Sequence, residues 1–167
     1  VELLTLATAA EGLHSSLYPN ERRFSHIELE EACAQIGRLS LPLTLAASIK
    51  TAKEWWGEVS FPTRIQSLAD AVAGVAPDCV GTTNRYKRAI TEARNKLAHG
   101  RSSRTMSDVE LLELAALARS LRWMLTIRML LAAGVSSETM RTVLARSGRY
   151  RRDRDFWAEL HPSIYGP

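Results

Sequence analysis

Four polar side chains recur at helical spacing between residues 88 and 99: Arg88, Glu92, Asn95 and His99. Steps of four, three and four place them on one face of an α-helix. Each can hydrogen-bond, and His99 falls in the last turn, at the negative end of the helix macrodipole. Imidazole both gives and takes a proton near neutral pH, which general acid or base catalysis requires. Tyr86, Ile90, Ala93 and Leu97 repeat on the opposite side and predict the buried stripe of the same helix. Arg94 lies about 140° round the helix from His99 at 100° per residue. Either its long side chain curls toward His99, or the two act in different half-sites. A solvated helix also presents a polar face, so the stripe by itself does not single out catalysis.

Other chemistries lack their residues. No Gly-x-Ser-x-Gly elbow, phosphate-binding glycine loop or His-Glu-x-x-His pattern occurs. Glu92 is the one acid close in sequence to His99, too few for a two-metal nuclease site. No cofactor and no metal are expected.

The elements that must hold these residues are helices. No alternating run of β-branched and aromatic residues is bounded by turn signals. Leu and Ala recur at helical spacing instead. The pattern predicts a first helix from Glu2 to Leu17 and a second from His26 to Arg38, opened by a Ser25–Glu28 capping box. A third starts at Ser40, with Pro42 near its first turn, and continues to about Gly57. A fourth runs from Phe61-Pro62 to near Gly74. The fifth runs from Thr82 or Thr83 to His99, with Gly100 as its C-terminal cap. Ser107, again with a glutamate (Glu110) three residues on, caps a sixth that ends near Ala133. Ser136 or Ser137 starts a seventh that ends near Ser147. The fold class is therefore all-α, a bundle of about six to seven helices.

The sixth helix is apolar over most of its circumference and should be central. Leu112, Ala116, Trp123, Ile127 and Leu130 cover one flank; Leu114, Leu117, Leu121, Met124 and Leu131 cover another. Arg128 projects into the second flank, as a paired core arginine or as a charge at a subunit interface. Residues 148–167 are basic and then aromatic, and no element is assigned to them. The expected division is a helical domain over 1–147 and a basic, aromatic tail over 148–167, either a solubilising tail or a contact for a polyanion.

The 167 residues (18.6 kDa) suffice for one core that buries roughly 70% of the chain's surface. A composition of 46% hydrophobic and 24% charged residues excludes global disorder. Cys33 and Cys79 are too few for a disulfide framework and fit a reducing compartment. The longest apolar stretch, Leu111 to Val135, carries Glu113, Arg119, Arg122 and Arg128 and is a poor bilayer span. No targeting segment is visible, so the cytoplasm is the expected location. The net charge of +4 is unevenly spread. Residues 85–104 hold seven basic side chains against one acid, and residues 141–154 hold six against one. Two basic segments in an otherwise acidic chain suggest a polyanion partner.

The run Arg94 to Gly100, RNKLAHG, resembles the R-N-x-x-x-H form of the signature of HEPN domains. It lies at a helix end, before a polar loop and a long apolar helix. The stretch AEGLHSSLYPNERRFS (residues 10–25) and Phe61-Pro62-Thr63-Arg64-Ile65 are similar to the ApeA-like branch of these domains. The resemblance covers about residues 3–145. It implies an all-helical ribonuclease or nucleotide-binding module. Arg94 and His99 would be the signature residues of a metal-independent endoribonuclease, and Asn95 would position one of them or the phosphate. Two protomers would pair through the fifth-helix face so that both motifs line one cleft. The branch also implies a prokaryotic anti-phage defence or toxin effector that attacks RNA such as tRNA. A preceding sensor domain of the same chain would fit the absence of an initial Met.

RNA carries its own nucleophile, the 2′-OH. An enzyme needs to remove that proton, stabilise charge on the phosphate and protonate the leaving 5′-oxygen. His99 and its symmetry mate would share the proton transfers, and the Arg94 fork suits the phosphate. Arg85, Arg88, Lys96, Arg101 and Arg104, with Lys87 beside them, would hold the RNA backbone. The Arg149–Arg154 cluster with Tyr150 would add charge and stacking. Two alternatives stand beside this reading. One is a silent module of the same fold that docks RNA or a nucleotide. The other is a plain dimerisation domain of a larger regulator.

Overall fold

Serine side chains start three of the helices as the sequence predicts, at Ser25, Ser107 and Ser136, while Thr82 at the start of the Thr83–Ala98 helix makes no side-chain cap bond. In the computed structural model Ser25 Oγ accepts the Glu28 N–H at 3.2 Å while the Glu28 carboxylate accepts the Ser25 N–H at 2.7 Å. Ser107 and Glu110 build the same box at 3.3 and 2.9 Å. Ser136 and Ser147 cap two further helices. The structure describes residues 2–99 and 106–166, apart from the side chain of Glu54. Among the described residues the order is α1 (Glu2–Leu17), α2 (His26–Gly37), α3 (Leu43–Ala52), α4 (Phe61–Ala73), α5 (Pro77–Val80), α6 (Thr83–Ala98), α7 (Asp108–Ala132), α8 (Ser137–Arg146), α9 (Gly148–Leu160) and α10 (Pro162–Tyr165), with no strand. One 3-10 turn, Lys53–Trp55, follows α3. The fold class is all-α.

α3 departs from expectation. It opens at Leu43 with Pro42, not Ser40, at its N-cap, and it ends at Ala52 instead of continuing to Gly57. The proline disfavours helical backbone at Leu41, so the chain cannot turn into the helix before it.

The chain divides into two compact units. The larger comprises Val1–Leu17 and Phe61–Pro167; the smaller comprises Tyr18–Ser60. At the centre of the larger unit lies α7, which touches α1, α4, α5, α6, α8 and α9. Ala116, Leu117, Leu121, Met124, Leu125 and Ile127 are its buried side chains of greatest weight. Leu112 and Leu130, expected on a buried flank, are exposed. Ile65, Leu68, Ala69 and Val72 of α4 pack into the same core as Tyr86, Ile90 and Ala93 of α6.

Residues 148–166 correct the expectation of a tail. α9 and α10 pack inside the larger unit, with Trp157 fully buried and Tyr150 and Ile164 nearly so. The Trp157 indole N–H donates to the Asp78 carbonyl at 3.0 Å, and the Tyr150 hydroxyl donates to the Asp78 carboxylate at 2.6 Å. Burial pushes the Tyr150 phenol far above its usual range. Tyr150 and Trp157 are seven residues apart, which is two helical turns. Four arginines around them hide that apolar stripe from a reading by composition. Gly81 is needed where this region closes on α10. Its φ is +52°, and a Cβ there would stand 2.1 Å from the Ile164 carbonyl oxygen.

In the smaller unit the Arg23 N–H donates to the Gly57 carbonyl at 3.0 Å, and Arg22 stands 3.8 Å from Glu58. No side chain of α2 or α3 is fully buried. Cys33 is half-buried and Cys79 is buried, both as free thiols. No helix among the described residues is long and apolar enough to cross a membrane.

Candidate functional site

α6 is amphipathic, and its sequence decides which face is buried. Tyr86, Ile90 and Ala93 point into the core, and Arg88, Glu92, Asn95, Lys96 and His99 are exposed. The helix ends at Ala98. His99 is its C-cap, and its backbone N–H donates to the Asn95 carbonyl at 3.1 Å. The imidazole therefore stands at the C-terminal end of the helix.

Arg94 sits on the other flank of α6 and is half-buried. Its Nη1 donates to Asn95 Oδ1 at 3.3 Å, and its Nη2 lies 3.9 Å from Glu11 Oε1 of α1. Its guanidinium carbon lies 5.3 Å from the centre of the Phe61 ring, at the start of α4. Cation–π contact and ion pairing thus hold one flexible side chain from two other helices. Arg64, one turn after Phe61, donates to the Glu11 carbonyl at 3.4 Å and to the Ser15 hydroxyl. About a third of the Arg94 side chain remains exposed, so the fork can still meet an anion.

The flank that carries His99 also carries Arg85, Arg88, Glu92 and Lys96. A groove of about 520 Å³ runs beside it, between α6, α7 and the α10 region, and is lined in part by Glu113 and His161. Its cations have local partners. Arg88 Nε is 2.7 Å from Glu92, Lys96 Nζ is 2.8 Å from Glu110, and Arg85 Nη1 donates to the Ser163 carbonyl at 2.6 Å. Lys96, together with the Ser107 cap, holds the Glu110 carboxyl down to about 2. His161 Nε2 lies 3.0 Å from the Glu113 carbonyl oxygen.

The structure joins Arg94 to Asn95, and it places Arg85, Arg88 and Lys96 on the His99 side of α6. The partners of Arg94 among the described residues are Asn95, Glu11 and Phe61. Arg101 and Arg104 lie outside the described residues. Tyr150 is buried against α7 and cannot stack on a base, which corrects the role expected of it. The expectation that Glu92 is the only acid near the motif is also corrected. Glu11 and Glu110 arrive from distant sequence. The signal for Glu11 lay in plain view, because Glu11, like Phe61 and Arg64, belongs to the two segments that resemble the ApeA-like branch. Among the described residues no group of three or more His, Cys, Asp and Glu side chains is placed to hold a metal ion.

Chemically, the end of α6 offers a fixed guanidinium fork, an exposed amide and an exposed imidazole, with further cations along one flank. These are groups that bind a phosphodiester and move protons. Residues 4–139 match the sequence pattern of the family described as Apea-like HEPN. No curated protein and no solved structure matches the chain.

Proposed function

The chain belongs to the Apea-like HEPN family, and we propose that it is a metal-independent endoribonuclease that cuts cellular RNA such as tRNA. HEPN domains are generally associated with ribonuclease activity and defence, commonly bind RNA and commonly dimerise. The observation that carries the reading is the end of α6. Arg94 is held there by Glu11 and Phe61, with Asn95 beside it and His99 exposed on the other flank of the helix, all within the residues that match the family.

In this mechanism His99 of one protomer takes the 2′-OH proton. The 2′-oxygen attacks phosphorus, and the bond to the 5′-oxygen breaks. The His99 of the partner subunit gives a proton to that leaving oxygen. Arg94 stabilises the charge that grows on the phosphate, and Asn95 fixes the Arg94 fork through its Oδ1. The products are a 2′,3′-cyclic phosphate and a 5′-OH. DNA has no 2′-OH and is not cut. The two protomers meet across the exposed face of α6, in the cytoplasm, as the effector of an anti-phage or toxin system.

A docking module is the second reading. It is favoured by one observation: Arg94 turns to Glu11 on one flank of α6 while His99 stands on the other. Incubation of the chain with total tRNA in EDTA, beside His99→Ala, separates the two. Cyclic-phosphate ends that are absent in the variant support the nuclease. Salt-sensitive binding without cutting supports docking.

A further inference from the structure

We propose that a cleft between α7 and α9, lined by Arg119, Arg122, Arg149 and Arg152, is a second RNA-binding surface that grips the phosphate backbone. The inference rests on the reading of RNA as the substrate and extends it to a face remote from the motif. Around α7 at 100° per residue, Arg119 and Arg122 lie about 120° to 180° from Glu110, which pairs with Lys96 beside the motif. The family match ends at residue 139, before α9 begins, so the α9 side of the cleft lies outside the matched residues.

The cleft has a volume of about 420 Å³, and in it four guanidinium groups face two carboxylates, Glu2 and Asp153. The array is fixed from beneath. The Asp153 side chain is only 14% exposed and accepts the Trp123 indole N–H at 2.9 Å and Arg119 at 3.4 Å, with Arg149 at 3.9 Å. Arg119 also stacks over Phe156 at 4.5 Å, and Arg122 reaches Glu2 at 2.5 Å.

The sequence of α9 is set against its own dipole. Its first turn holds no acid, and Arg149, Arg151 and Arg152 crowd the positive end of the helix. Neither packing nor capping requires them, since Ser147 caps the helix and Tyr150 and Trp157 anchor it. An anion in the cleft removes that conflict. A phosphodiester strand fits best, because planar forks bind its oxygens pairwise.

The test uses the full chain carrying His99→Ala and a fluorescein-labelled single-stranded RNA of about 20 nucleotides, longer than a typical single-fold site. Affinity is measured by anisotropy across a salt series. Arg149→Gln with Arg152→Gln is expected to reduce the slope of log affinity against log salt by about 1.4, at about 0.7 per lost phosphate contact. Affinity at low salt should fall about tenfold or more, and the melting temperature should hold or rise. Arg149→Lys with Arg152→Lys should keep the slope. An unchanged slope and affinity in the glutamine pair overturns the proposal, as does a lowered melting temperature, which would make the arginines structural. A parent chain with no salt-dependent RNA binding overturns it too. If the wild-type chain never cuts RNA but the glutamine pair loses the slope, the cleft stands and only the nuclease reading falls.

Discussion

Arg94 is held by Glu11 of α1, Phe61 of α4 and its own neighbour Asn95, so its position depends on three parts of the chain. If Arg94 and His99 perform the chemistry assigned to them, His99→Ala and Arg94→Ala each lower cleavage by about 10² to 10⁴, the usual worth of a positioned proton donor or acceptor. Both variants keep the fold, because neither side chain is part of the core. Timed cleavage of tRNA with parallel thermal melts checks this, and a variant that cuts at the wild-type rate removes its residue from the site. Glu110 gives a prediction in pH. Its carboxyl is held at about 2, below the ordinary 4.5, chiefly by Lys96. A depressed carboxyl contributes stability above its unfolded value and loses it as pH falls through the folded one. Glu110→Gln should therefore melt below the wild type above pH 4.5, and the gap should close as pH falls toward about 2. A gap that persists unchanged at the acid end would contradict the role of the charged carboxylate.

At the scale of elements, capping residues and apolar spacing agree for most helices. Ser25–Glu28 and Ser107–Glu110 could be read directly, because a capping box is made within four residues. α9 could not be read so. Its mean character is charged, and its apolar content is Tyr150 and Trp157, which gain meaning only when α7 and Asp78 are in place. Truncation tests this. Trp157→Ala should cost about 3 to 5 kcal/mol, the range for a large aromatic removed from a packed core. Chemical denaturation measures it, and a loss under about 1 kcal/mol would show α9 to be dispensable to the core. Leu112 and Leu130 of α7 show the opposite limit. Their spacing assigns them to a buried flank, but the packing leaves them outside.

At the scale of the molecule, the proposed joint cleft requires two copies of the chain, so light scattering at working concentration should give the mass of a dimer. A monomer at high concentration would leave each protomer with half a site. Charge counting along the chain also changes meaning at this scale. Two of the basic residues over 85–104, Lys96 and Arg94, pair in space with the distant acids Glu110 and Glu11. In the segment 141–154 Arg154 likewise pairs with the distant Asp78, while α7 brings two further arginines beside Arg149 and Arg152. The sequence by itself determined the helical class, the main helix starts, the buried stripe of α6 and the Arg94–Asn95–His99 run. All of these rest on interactions within a few residues. Only the tertiary structure decided that Glu11 and Phe61 hold Arg94, that α9 belongs to the core and that its arginines line a cleft. Those contacts join residues tens of positions apart, and local spacing carries no information about which distant surface will cover which.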